Sequence, residues 1–141
     1  MENPSSLPAI TSHRITFTGD HEPSYNIYEP GDEGYAEYQG FVDDKNAAIL
    51  EAMRDVDVLI ADSSYTDAEY PSKKGWGHGT FSSSITIAKQ AGAKVLFCTH
   101  HEPTRSDDAL EEAFKEAMQT NAAITQEMDI RLAREGETYE F

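Results

Sequence analysis

The chain is 141 residues long and carries 26 acidic against 11 basic side chains, a formal charge of −15. That length gives one domain with its own core rather than two, and no apolar run approaches the ~20 residues a membrane span needs. A field this negative repels phosphate backbones and argues against general nucleic-acid binding; it fits a solvated acidic surface, or acids gathered around a cation.

Residues 1–6 have neither the basic start nor the apolar stretch of a secretory leader. Residues 1–12 are expected to form a flexible N-terminal tail ahead of a domain spanning 13–141. Residues 14–18 then read as a first strand, ending in Gly19-Asp20-His21-Glu22. Residues 22–39 are rich in Pro, Gly, Tyr and acid and read as a long loop, whose Tyr25, Tyr28, Tyr35 and Tyr38 offer aromatic surface that prefers to pack. Asp43 or Asp44 is expected to cap a helix carrying Ala47, Ile49, Leu50 and Met53. Residues 58–61 form a short apolar strand stopped by Asp62, and 65–80 a second loop holding Gly75-Trp76-Gly77-His78-Gly79-Thr80.

A helix with Phe81, Ile85 and Ala88 on one face ends near Ala91-Gly92. Residues 95–99 are apolar throughout, as in a strand covered on both faces. The single cysteine, Cys98, lies inside this run; no intrachain disulfide forms, and a reducing, cytoplasmic location is expected. Ser106 caps an amphipathic helix, with Asp107 and Asp108 at its positive end and Ala109, Leu110, Ala113, Phe114, Ala117 and Met118 as its apolar stripe. A last helix is expected over Ile124, Met128 and Leu132, followed by Gly136 and a short segment, 138–141. The alternation predicts an α/β layer structure.

Acids and histidines gather where three apolar runs end. Ligands of open α/β sheets bind just beyond the carboxyl ends of the strands, and carboxylates and imidazoles delivered there are what Zn²⁺, Mn²⁺ or Fe requires. Asp20 projects from a Gly-Asp turn that also carries His21 and Glu22. Asp62, ending an apolar strand, must be paired, hydrogen-bonded or metal-bound; it either caps the following loop or orients a histidine, and His78, between two glycines, is the natural partner. His100 and His101 are adjacent at a strand end, so their rings point apart and serve different roles, one at a metal and the other at a substrate or carboxylate. Arg105 is placed to bind a substrate phosphate or carboxylate, or to form a surface salt bridge. Nothing supports nucleophilic catalysis: the Ser63-Ser64 and Ser82-Ser83-Ser84 runs lack a nucleophile elbow, and no phosphate-cradling glycine loop is present.

Taken in order, Gly19-Asp20-His21-Glu22-Pro23, residues 57–66 with Asp62-Ser63-Ser64-Tyr65-Thr66, Gly75-Trp76-Gly77-His78-Gly79-Thr80, and Thr99-His100-His101-Glu102-Pro103 with Ser106-Asp107-Asp108 resemble the C-terminal half of a metallo-β-lactamase-fold hydrolase, in the phosphodiesterase-like and ribonuclease Z-like branch. The resemblance covers roughly residues 13–135. It implies half of an αββα sandwich, a β-sheet covered by helices on one face, and a metal-dependent hydrolase of phosphodiester or related ester bonds. By it, Asp20 matches a metal-bridging aspartate and His100 the last metal-binding histidine. Asp62 and His78 match an acid–histidine pair that assists protonation of the leaving group, and His101 lies near the substrate. The implied cofactor is a divalent metal, zinc foremost, with manganese or iron as alternatives. Gly79 stands where a serine is usual and Glu102 where an aspartate is. The superfamily's His-x-His-x-Asp-His motif has no counterpart among histidines at 13, 21, 78, 100 and 101. The expectation is therefore one part of a hydrolase, completed by a partner that supplies the other half-domain, or else a non-catalytic module that forms a homodimer through the exposed face of its sheet.

Overall fold

A computed structural model describes residues 12–140. Phe141 and nearly all of the expected N-terminal tail lie outside the described residues. Four short strands form one sheet: β1 (Ile15–Phe17), β2 (Val58–Asp62), β3 (Val95–Thr99) and β4 (Asp129–Leu132). Their order is β1-β2-β3-β4 and every pairing is parallel, with Leu59 opposite Leu96 and Ile60 opposite Phe97. Parallel neighbours need crossover connections, and helices supply them: α1 (Tyr35–Ala52), α2 (Tyr70–Lys73) with α3 (Phe81–Ala91), and α4 (Asp107–Thr120) with α5 (Ala122–Thr125).

Alternation along the strands divides the sheet into two unlike faces. Leu59, Ala61, Leu96, Cys98, Ile130 and Leu132 meet Phe81, Ile85, Ala88 and Ala113 of the helices in one buried core. Burial pushes the Cys98 thiol up to about 12, so it is an inert hydrophobe there. The opposite face carries Ile15, Phe17, Ile60 and Phe97. Ile15 and Phe17 are 56% and 66% exposed, and the C-terminal segment lays Tyr139 edge-on against Phe97 at 5.5 Å. This is the expected architecture, an α/β sheet with helices on one side.

Cap chemistry sets the helix ends. Thr80 and Ser83 form a reciprocal capping box at the start of α3. Gly92, at φ 72°, closes its end in the left-handed conformation, and the Gly92 and Ala93 amides satisfy its last carbonyls. Ser106 accepts from the Ala109 amide to open α4, as its sequence predicts.

Two expectations are corrected. The first helix begins at Tyr35 rather than after Asp43 or Asp44, which lie inside it, and Gly34 precedes it. Tyr38 packs edge-on against Tyr28 at 5.6 Å and Val42 is buried. Aromatic packing thus carries the helix through a stretch whose glycines and acids read as loop. The expected last helix is instead the single turn α5 followed by β4. Ile124, Met128 and Leu132 satisfy a helical spacing, but Met128, Ile130 and Leu132 also alternate. Pairing with β3 buries Ile130 and Leu132 and decides for the strand.

Candidate metal and proton-transfer site

The carboxyl ends of β1, β2 and β3 converge, and the loops leaving them bring Asp20, Asp62, His78 and His100 together. One ligand atom from each lies within 4.8 Å of every other. This cluster is built outward from Asp62, whose side chain has no solvent exposure. An isolated buried carboxylate is prohibitively costly, and three donors remove the cost. The His21 amide donates to Oδ2 at 3.0 Å, the Ser64 hydroxyl to Oδ1 at 2.7 Å, and the His78 ring to Oδ2 at 2.7 Å. A carboxylate only accepts, so the bond fixes the proton on His78 Nδ1 and leaves Nε2 for other chemistry.

His100 adopts φ 59°, a left-handed conformation rare for a residue with a side chain. Ser64 holds it there. Its Oγ lies 2.7 Å from the His100 carbonyl and 3.0 Å from His100 Nδ1. Ser64 has one hydroxyl proton to share between Asp62 Oδ1 and the His100 carbonyl, and the tautomer of His100 sets whether Oγ accepts from or donates to Nδ1. His100 Nε2 lies 2.9 Å from Asp20 Oδ1. An Nε2–H donates to the carboxylate at that distance, and a bare Nε2 and the carboxylate oxygen together offer two ligand atoms to a cation. A carboxylate oxygen and an imidazole nitrogen are also the donors that zinc, manganese and iron accept. The residues therefore fit a divalent metal at Asp20 and His100. The His78 and His100 rings stack with centroids 4.5 Å apart, which sets the Asp62–His78 pair directly beside that position.

Gly79 makes the assembly possible. A Cβ there would meet the Asp62 carbonyl oxygen at 2.6 Å and the His21 carbonyl at 3.1 Å, so only glycine lets the three segments approach this closely. The serine common at this position in the resembled family has no room.

Two of the sequence-derived candidates lie away from the cluster. His101 turns toward β4, its Nε2 at 2.9 Å from the Ala133 carbonyl. Arg105 is largely buried, and its guanidinium donates to the Ser64 carbonyl at 3.1 Å and to Glu69 at 2.8 Å, a pair that braces the loop after β2. The divergence of the two adjacent histidines is the outcome their strand-end position predicts. Sequence reading passed over Ser64, the link between Asp62 and His100. Its position two residues beyond a strand-ending aspartate was the available signal.

No family model matches the chain. Three ribonuclease Z proteins are similar to it: that of Brevibacillus brevis, 28% identical over 107 residues, and those of Methanosarcina mazei and Methanosarcina acetivorans, 40% and 38% identical over 65 and 61 residues. These alignments take in 73%, 43% and 43% of the chain, and the chain spans only 30%, 20% and 20% of those proteins. In three dimensions it superimposes on the crystal structure of the metallo-β-lactamase fold protein YhfI from Bacillus subtilis with a TM-score of 0.57, over 89% of this chain and 39% of that one, at 21% identity. The chain has a metallo-β-lactamase fold. In it, as the motif order predicts, the four clustered side chains stand at the strand ends of a sheet with helices on one face, and the other face carries exposed Ile15 and Phe17.

Proposed function

We propose that the chain is part of a metal-dependent hydrolase of phosphodiester or related ester bonds. The observation that carries this is the Asp62–His78 pair stacked beside an Asp20–His100 pair whose ligand atoms suit a divalent metal. The partial likeness to ribonuclease Z proteins supports the same reading. Asp20 and His100 hold the metal, zinc foremost with manganese or iron as alternatives; bound there, it supplies Lewis acidity at the phosphoryl oxygens and a stronger nucleophile at neutral pH.

His78 acts as general acid. Its Nδ1 proton stays on the ring, hydrogen-bonded to Asp62, and its Nε2 proton passes to the oxygen of the departing group. The buried Asp62 carboxylate orients the ring and stabilises the imidazolium form. The His21 amide and Ser64 hydroxyl hold that carboxylate in place. Two protein donors do not fill a metal shell, and a dinuclear site takes more. The further ligands come from a His-x-His-x-Asp-His segment outside these 141 residues, seated against the sheet face of Ile15 and Phe17. A second copy of the chain on that face gives the other reading, a non-catalytic dimer, and the exposure of Phe17 is what favours it.

Metal content and hydrolysis of bis(p-nitrophenyl) phosphate, measured on the purified chain alone and with the complementing half-domain of a ribonuclease Z relative, test the proposal. Activity that appears with divalent metal and is lost in His78→Ala is expected. A metal-free dimer with no gain on complementation would sink it in favour of the non-catalytic module.

A further inference from the structure

Three consecutive residues of one turn reach the three other parts of the site. Asp20 faces His100, the His21 amide holds Asp62, and Glu22 grips the loop that leads to His78. The third contact has no part in the chemistry above. Glu22 contributes nothing to the cluster of ligand atoms, and its oxygens are already engaged. They accept from the Tyr70 hydroxyl at 2.7 Å, from the Gly75 amide at 3.0 and 3.1 Å, and from the Gly77 amide at 3.1 Å. Gly75 and Gly77 have φ values of 93° and 91°, so the segment before His78 is unusually free to choose its path. Charge-assisted bonds from a carboxylate to two backbone amides are strong enough to choose it. On the far side of His78, Gly79 is wedged against the Asp62 carbonyl. His78 is thus bracketed, and Glu22 supplies the bracket on the glycine-rich side.

We propose that Glu22 is the positioning residue for His78: by holding the amides on either side of Trp76 it fixes the loop where the His78 ring meets Asp62. The proposal rests on the reading of His78 as proton carrier. It assigns Glu22 a role distinct from the ligand or proton carrier that its place beside Asp20 and His21 suggests.

Trp76 is the only tryptophan in the chain and sits between the two held amides, so its fluorescence anisotropy decay reports the loop directly. The 2.7 Å bond to Asp62 gives His78 Nδ1–H a downfield proton signal as a second readout. In Glu22→Ala, a fast depolarising component is expected at Trp76 and the His78 signal is expected to broaden or vanish. The His100 ring resonances and far-UV circular dichroism stay as in the wild type. Glu22→Gln, nearly identical in size, is expected to shift the same way to a smaller extent, and it serves if the alanine variant fails to fold. Tyr70→Phe removes one donor but neither amide, and is expected to leave both readouts unchanged. In the complemented enzyme, Glu22→Gln lowers kcat at nearly constant KM. Wild-type anisotropy and a wild-type His78 signal in Glu22→Ala, or in Glu22→Gln should the alanine variant not fold, would overturn the proposal, even with His78→Ala inactive. A freed loop together with hydrolysis indifferent to both Glu22→Gln and His78→Ala would leave the positioning intact and remove the proton-transfer reading.

Discussion

A carboxylate with no solvent exposure survives at Asp62 because an amide, a hydroxyl and an imidazole all donate to it. The same three bonds give His78 a single tautomer. Asp62→Asn keeps the shape and one acceptor oxygen but sets an NH2 group against these donors. It is expected to cost about 1–3 kcal/mol in urea unfolding, the usual penalty for leaving buried donors unmatched. In the complemented enzyme, His78→Ala is expected to lower kcat by about 10²–10⁴-fold, the range for loss of a general acid, with metal content unchanged. A His78→Ala enzyme with wild-type kcat would remove the residue from the reaction. At this scale the sequence was informative. Asp20, Asp62 and His100 were each marked by an abrupt polar stop to an apolar run, which is hard to explain by packing, and His78 by the glycines on either side of it. His101 shared the strand-end mark and Arg105 lay close behind it, yet their partners are the Ala133 carbonyl, Glu69 and the Ser64 carbonyl. Which way a side chain turns at a strand end depends on contacts 32 to 41 residues away, and local spacing does not encode those.

At the scale of elements, the loop between α2 and α3 leaves no room for a side chain at Gly79. Gly79→Ser is expected to destabilise the chain and displace His78, because its Cβ would stand 2.6 Å from the Asp62 carbonyl oxygen. Lowered thermal stability together with loss of the His78–Asp62 proton signal is the expected result; a serine variant with native values of both would show that the loop has slack. The opposite end of the sheet depends on Asp57, which accepts from Lys94 at 2.8 Å and from the Arg14 amide at 2.8 Å and so ties β1 to the starts of β2 and β3. The Lys94 bond first, then the Arg14 amide, hold its carboxyl below the ordinary 3.8. A lowered folded-state value means that this stabilisation is complete at pH above 3.8 and is lost as pH falls through the folded value. Asp57→Asn is therefore expected to lower the urea midpoint near neutral pH and to lessen its decline on acidification, as equilibrium unfolding at a series of pH values will show. The helices α3 and α4 were legible because caps and apolar stripes agreed. The start of α1 and the strand β4 were not, since each depends on a distant partner, Tyr28 against Tyr38 and β3 against Ile130 and Leu132.

For the molecule as a whole, the sheet buries one face under helices and leaves Ile15 and Phe17 largely open on the other. In the proposed function this apolar surface is where the other half-domain or a second copy docks. Phe17→Lys is expected to weaken association with the complementing half-domain, or with a second copy, and to leave the fold intact; sedimentation analysis of wild type and variant checks this. A net charge of −15 works against self-association at low ionic strength and is locally compensated wherever a divalent ion binds. The proposed hydrolase depends first on whether Asp20 and His100 bind a metal. Zinc and manganese binding measured by calorimetry on the wild type, Asp20→Ala and His100→Ala tests this most directly. Saturable binding to the wild type, weakened at least about tenfold by either substitution, is expected, no less than loss of an outer-sphere partner causes. Equal affinity in all three proteins would contradict it.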